Sequence, residues 1–254
     1  MVISTVSILV SIGGGLLAGI INTLAGNGSA ITLSILTEVL GLPPTVANAT
    51  NRIGICTQTY AANYVFHKNG QIKWRSSLYI LIPIIAGSIA GIYVAMNVSN
   101  EQFRAVFSYL MIFVLFVLLV NPKRWLHDGV VVRDLHPLIS IPVYTALGFY
   151  GGFIQMGMGI FFLVFMVLGL RWNLTQANAL KSVVISIYTT IAILIFHYHG
   201  LIDWRIGGIM AIGQTTGGWL AANFLSKSKQ ANVWAHRILV VMVIVMLVRL
   251  FFIK

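Results

Sequence analysis

Charge is what this 254-residue sequence has least of. Asp and Glu together number five, Lys and Arg sixteen, and charged residues make up 8% of the chain. A soluble globular domain carries about 25%. A chain this poor in charge cannot clothe a water-facing surface, which excludes an ordinary soluble enzyme and a disordered tail and points to lipid as the solvent. Cysteine is scarce too: Cys56 stands alone, so no intrachain disulfide forms, and in its apolar stretch it reads as a small packing residue. The sequence has no basic run of five or more and no nucleic-acid recognition signature. The formal charge of +11 therefore reads as membrane topology, with no nucleic-acid partner. No His/Cys/Asp/Glu cluster has metal-ligand spacing, and there is neither a nucleophile elbow nor a GxxxxGK[ST] loop. The expectation is no enzyme, no metal, no cofactor and no ATP-driven pumping by this chain alone. The first apolar segment lacks a positive flank and reads as a retained helix, not a removable signal.

What the sequence has in abundance is apolar residues, 58% of the total. They fall in about ten helical runs, near 4–24, 29–41, 45–66, 77–97, 102–120, 136–155, 158–170, 173–198, 204–224 and 232–253. Eight are long enough to cross roughly 30 Å of hydrocarbon. The runs at 29–41 and 158–170 rise only about 20 Å and follow Gly26-Asn27-Gly28 and Gly157-Met158-Gly159. They read as parts of broken or re-entrant pairs, whose freed backbone groups protein or a water-filled cavity must satisfy. Whether they cross or re-enter stays open.

The chain also repeats itself. At an offset of 130, Thr45, Ala47, Asn48 and Ala49 match Thr175, Ala177, Asn178 and Ala179. His67, Gly70, Ile72 and Trp74 match His197, Gly200, Ile202 and Trp204, and Gly87 matches Gly217. Upstream the offset becomes 128, pairing Val39-Leu40-Gly41-Leu42 with Val167-Leu168-Gly169-Leu170. We therefore expect an all-α polytopic membrane protein in two repeats, 1–120 and 136–254, joined by a cytoplasmic linker at 121–135. Five segments per half is an odd number, so the second half enters from the opposite side. One set of loops holds Lys68, Lys73, Arg75, Lys123, Arg124, Arg133, Arg171, Lys227 and Lys229. The positive-inside rule makes that set cytoplasmic and places both termini outside. Trp74 and Trp204 read as interfacial anchors, and His67 and His197 as capping or interface residues.

Inverted repeats with discontinuous helices are a recurring transporter design with a site near mid-depth, so intramembrane polar residues carry the information. Segment 45–66 opens with Asn48, Asn51 and Arg52 and goes on to Gln58 and Asn63. Its mate opens with Gln176, Asn178, Lys181 and Ser182. Asn48 and Asn178 are exact mates; Arg52 and Lys181 miss by one. Two cations beside helix N-termini suit an anion, with the two Asn amides donating. Gly28 and Ser29 at the first break, Gln155 at the second and Gln214 in segment 204–224 complete the candidate lining. Competing readings stand beside this one: Arg52 paired with Glu38, Lys181 snorkelling to the interface, the Asn residues cross-linking helices. Gly13-Gly14-Gly15, Gly87, Gly91, Gly207-Gly208 and Gly217-Gly218 read as close helix contacts.

Several of these stretches resemble a known family. Gly13-Gly14-Gly15-Leu16-Leu17-Ala18-Gly19, the break Leu24-Ala25-Gly26-Asn27-Gly28, the run from Val39 through Pro43-Pro44 to Asn48-Ala49-Thr50-Asn51-Arg52, and Gln176-Ala177-Asn178-Ala179-Leu180-Lys181-Ser182 are similar to the TauE/SafE sulfite exporters. The resemblance covers nearly the whole chain, although members usually carry a glycine-richer first break than one interrupted by Asn27 and Ser29. It implies a permease of the bacterial inner membrane moving sulfite, sulfonates or sulfoacetate, mostly outward. The alternatives are a carrier or channel for another small anion such as a carboxylate, or a membrane assembly protein. The expected partners are a small anion and the lipid bilayer. Permeases of this size often form homodimers, and no face in the sequence singles out such an interface.

Overall fold

The computed structural model describes residues 4–72, 74–97, 136–153 and 155–228 throughout, with separate positions between 230 and 248. The segment expected at 102–120, the linker at 121–135 and much of the segment at 232–253 lie outside the described residues. Those described are helical, with no strand among them. In chain order the first half gives α1 (Thr5–Ala25), α2 (Ser29–Ser34) running on into a π-helical turn (Ile35–Val39), α3 (Pro44–Lys68) and α4 (Trp74–Ala95). The second gives α5 (Pro137–Phe153), α6 (Met158–Leu163) with its own π-helical turn (Val164–Gly169), α7 (Leu174–Tyr198) and α8 (Trp204–Lys227).

Local chemistry sets these boundaries. Ser4, Asn173 and Asp203 cap α1, α7 and α8, each accepting from a backbone N–H three residues on, and Pro44 opens α3 where its missing donor does no harm. Gly26 stops α1 in the left-handed conformation, at φ 82°. Among the described residues, only α1 and α7 are both long and apolar enough to pass as membrane spans on composition. Helices α3 and α8 have the length, but Asn51, Arg52, Gln58 and Gln214 dilute their hydropathy. These four side chains are buried inside the protein, away from lipid.

Equivalent elements pack reciprocally. The broken helix α1 lies along α8 of the other half, and the broken helix α5 lies along α4. Glycine makes both approaches possible. Gly15 and Gly19 of α1 face the backbone of Met210 and Gln214, while Gly213 and Gly217 of α8 face that of Ile12 and Leu16. In the second pair, Gly87 and Gly91 of α4 face Thr145 and Phe149, and Gly148 and Gly152 of α5 face Ile84 and Ser88. Each is a Gly-x-x-x-Gly stripe that lets backbones meet without a hydrophobic driving force from solvent. The close-contact reading thus holds for Gly15, Gly87, Gly91 and Gly217. Gly13 and Gly208 have open space around them.

The breaks themselves touch. A Cβ on Gly26 or on Gly159 would lie closer than 3.0 Å to the other's backbone, so the two discontinuities share one place in the fold. Around them, Met158, Ile160, Phe162, Leu163 and Met166 form the apolar centre. The repeat register at the turn before α7 differs from the offset-128 match. Leu42 N–H bonds Leu36 O and Trp172 N–H bonds Met166 O, and the left-handed residues there are Gly41 and Arg171, an offset of 130 (171 − 41). Gly169 instead ends the π-helical turn. The Val-Leu-Gly-Leu coincidence misled because hydrogen bonding, not residue identity, fixes which residue turns left-handed.

These contacts generate a contrast. Gly91→Ala and Gly213→Ala should each destabilise the detergent-solubilised protein by about 1–3 kcal/mol through overpacking against backbone. Gly13→Ala and Gly208→Ala should be neutral, or stabilising by up to about 1 kcal/mol. Tryptophan fluorescence during thermal unfolding reads the difference.

Candidate functional site

A helix that stops inside a membrane leaves its last carbonyls without helical donors and without water. Here two cations supply donors, each from the opposite half, with Asn22 O accepting from the Gly26 N–H as well. Lys181 of α7 donates Nζ–H bonds to Asn22 O and Thr23 O at the end of α1, both at 3.0 Å. Arg52 of α3 donates from its two terminal nitrogens to Gly151 O at 3.0 Å and Gly152 O at 2.9 Å, at the end of α5. The arrangement is reciprocal, since 181 − 52, 151 − 22 and 152 − 23 are all 129. A cation at a helix C-terminus also meets the negative end of the helix dipole.

This geometry decides between the readings of the two cations. Lys181 is 2% exposed and turned inward, so it does not snorkel. Arg52 is fully buried, and its hydrogen bonds go to the second half's carbonyls, with the Phe196 ring 5.7 Å from the guanidinium carbon. Glu38 lies exposed on the π-helical turn after α2.

Around Lys181 the two halves enclose a polar cavity. Its walls are Asn22, Thr23, Gln58 and Thr59 from the first half and Asn178, Lys181, Ser182 and Ile185 from the second. The volume is about 10 Å³, room for one water. The wall is knitted together: Lys181 also donates to Asn178 Oδ1, Asn22 donates to Gln58 at 3.3 Å, and Gln58 donates to the Thr23 hydroxyl at 3.1 Å. Ser182 donates to Thr59 O at 3.2 Å. No acidic side chain is part of this wall.

The candidate residues named from the sequence fall into separate places. Asn178, Lys181 and Ser182 share the cavity. Arg52 and Gln155 stand at the second break. Asn51 accepts from Gln214 at 3.2 Å, bridging α3 and α8, and Asn48 sits half-buried near the start of α3. Gly28 and Ser29 do not line the cavity; Gly28 lets α2 press against Ala18 and Asn22 of α1. Asn22, Thr23, Gln58 and Thr59 were missing from the candidate list. Their signal was there, in two polar residues just ahead of Gly26 and in the polar run down segment 45–66. Farther out, Trp204 donates to His197 at 3.2 Å.

A family model described as sulfite exporter TauE/SafE matches residues 11–250. Among curated proteins, a probable membrane transporter protein of Haemophilus influenzae is 28% identical over 211 residues, covering 83% of this chain and 82% of the relative. One from Xylella fastidiosa is 28% identical over 234 residues, 88% of each chain. The probable membrane transporter protein YfcA of Escherichia coli K12 is 25% identical over 217 residues, 85% of this chain and 80% of the relative. No solved structure matches the chain.

The hydrogen-bond pattern sets an energetic expectation. Lys181 and Asn178 share a bond, so truncating both should show a coupling of about 0.5 kcal/mol or more, whereas Arg52 and Lys181 share no partner and should add within about 0.5 kcal/mol. Double-mutant cycles in denaturant unfolding check both.

Proposed function

The chain belongs to the TauE/SafE sulfite exporter family, a family of membrane transporters, and we propose that it exports small sulfur-containing anions such as sulfite, sulfonates or sulfoacetate. The observation that carries this reading is the buried ammonium of Lys181 at the wall of a cavity shared by both halves, with no carboxylate in that wall. A cation held away from water is costly unless neutralised. Carbonyl dipoles offset part of that cost, and a small anion offsets more. The wall holds further groups able to donate to a desolvated oxyanion head, the amides of Asn178 and Gln58 and the hydroxyls of Thr59 and Ser182. They now donate to Leu174 O, the Thr23 hydroxyl, Ile55 O and Thr59 O, so an anion gains them only by an exchange of partners.

Lys181 has three N–H groups, and Asn22 O, Thr23 O and Asn178 Oδ1 take all three. An anion therefore binds by displacing one or more of them. Displacing Asn22 or Thr23 detaches the end of α1 from α7, which turns substrate binding into relative movement of the halves. The one-water cavity requires the same movement, because a sulfite ion does not fit until the walls part. Binding energy is thus spent on opening, which keeps affinity low enough for release. A transporter responds to its substrate only to the extent that the substrate prefers one conformation, and here the competing carbonyls supply that preference.

The same reading places the protein in the cell inner membrane with both termini outside, the loop at residue 70 in the cytoplasm and the loop at residue 200 outside. Single cysteines introduced at these positions in a Cys56→Ser background test it. A membrane-impermeant thiol reagent applied to intact cells should modify position 200 and spare position 70; the reverse pattern contradicts the orientation.

Substrate class is tested by counterflow in proteoliposomes with sulfite, sulfoacetate, taurine and acetate. Saturable flux favouring the sulfur anions is expected. Preference for acetate would reassign the cargo to carboxylates, and flux that does not saturate would indicate a channel. A charge-assisted hydrogen bond contributes roughly 1.5–3 kcal/mol, so Lys181→Ala, purified and still folded, should bind sulfite about 10- to 100-fold more weakly.

A further inference from the structure

The two breaks are built alike but finished differently. At the first, every donor of Lys181 has a protein acceptor, and Gln58 is bonded on both sides by Asn22 and Thr23. At the second, three polar atoms have no hydrogen-bond partner among the described residues: Arg52 Nε, the Tyr188 hydroxyl and Gln155 Oε1. Their residues are 0%, 0% and 5% exposed. Buried polar groups in native proteins are nearly always satisfied, and a cluster of exceptions calls for an explanation.

The repeat explains how the gap arises. Tyr188 is the offset-130 mate of Gln58 (188 − 58). The residues that bond Gln58, Asn22 and Thr23, correspond at offset 129 to Gly151 and Gly152, which have no side chains. The second centre therefore keeps its cation and its polar residue on α7 while lacking the groups that would fill them. Tyr188 lies within electrostatic reach of Arg52 and close to the side chains of Thr189 and Gln155, but its hydroxyl meets the geometry of a hydrogen bond with none of them. A Cβ on Gly151 would come within 3.2 Å of the Tyr188 hydroxyl and 3.0 Å of the Met158 side chain, so the glycine lets the tyrosine pack close to the carbonyls that Arg52 holds. Gln155 reaches inward from a left-handed backbone, φ 59°, a conformation that is uncommon outside glycine. Its amide nitrogen stands 3.5 Å from the Thr189 hydroxyl, at the limit of a bond.

Arginine suits this place where lysine does not. Its terminal nitrogens hold the two carbonyls of α5, and the planar fork leaves Nε–H on another edge. Lys181 gives two N–H groups to carbonyls and its third to Asn178 Oδ1, and keeps none in reserve. We propose that the second break is an oxyanion subsite in which Arg52 Nε–H and the Tyr188 hydroxyl donate to the oxygens of a sulfite or sulfonate head, with Gln155 Nε2–H, held by Thr189 only at 3.5 Å, as third donor. It rests on the reading of the chain as an anion transporter but uses no donor of Lys181. The transported anion then meets a cation at each break, one saturated by protein and one with donors in reserve.

Thermal-shift titration of the purified protein with sulfite, sulfoacetate, sulfate and acetate tests the subsite in Tyr188→Phe and Arg52→Lys. Tyr188→Phe removes one oxygen and no charge. It should melt at or above the wild-type temperature without anion, because an unsatisfied buried hydroxyl is gone, yet bind sulfite about tenfold more weakly. Arg52→Lys keeps the charge and loses Nε, and its affinity should fall at least as far. Should Arg52→Lys fail to fold, Tyr188→Phe alone decides. Wild type stabilised by sulfite, with Tyr188→Phe binding it equally well, overturns the subsite and leaves the exporter reading intact. Wild type unmoved by every oxyanion overturns both.

Discussion

Inside a bilayer, a carbonyl with no donor has nowhere to turn, and this fold breaks two helices there. The carbonyls of Asn22, Thr23, Gly151 and Gly152 at the ends of α1 and α5 accept from Lys181 and Arg52, each delivered by a helix of the other half, and Asn22 O keeps its bond from the Gly26 N–H as well. Neither half can finish its own break. That dependence makes the paired halves one unit, and it explains why charge so scarce in the chain is found at its most buried positions. The glycine stripes serve the same end. By letting α1 lie against α8 and α5 against α4 at backbone distance, they bring the broken ends within reach of the cations.

On the proposed reading, stability and anion transport draw on the same bonds. A cation that only held the fold together would be best left saturated, and a cation that only bound substrate would be best left free. Lys181 holds backbone at the wall of a polar cavity, so an anion must compete with the protein for it. Such competition permits release, because the carbonyls return when the anion leaves. It also ties occupancy to the separation of α1 from α7. Mere enclosure of an anion would not move the halves; the proposed exchange of partners would.

Much of this was legible in the sequence. The helix boundaries, the two short pieces after Gly-rich breaks, and the repeat offset followed from apolar runs and matched residues. So did the unusual positions of Arg52 and Lys181, because ionisable groups in apolar helices stand out. Their partners did not, since the acceptors are backbone oxygens and every residue carries one. Nothing in the composition marks Gly151 as the carbonyl that Arg52 will find. The same blindness produced the expectation of one site containing Asn48, Arg52, Gln155, Asn178 and Lys181 together. Sequence gives each residue's place along its helix, but packing decides which faces meet. Helix α3 thus sends Arg52 to the second break, Asn51 to Gln214 and Gln58 to the first break. Tyr188 offered no signal of its own, tyrosine being common in membrane helices. Only its registration with Gln58 singles it out, and that comparison gains meaning once Gln58 is seen at the cavity wall.

The central claim is that an anion sits between the halves and takes hydrogen bonds from Lys181 that the end of α1 otherwise holds. Selenite, a sulfite analogue that scatters anomalously, locates the anion directly in a crystal structure of the loaded protein. The account predicts an anomalous peak within hydrogen-bond distance of Lys181 Nζ, between α1, α3 and α7, with at least one of the bonds to Asn22 O and Thr23 O broken. A loaded structure in which selenite lies only on the outer surface, with Lys181 still bonded to both carbonyls, would contradict it.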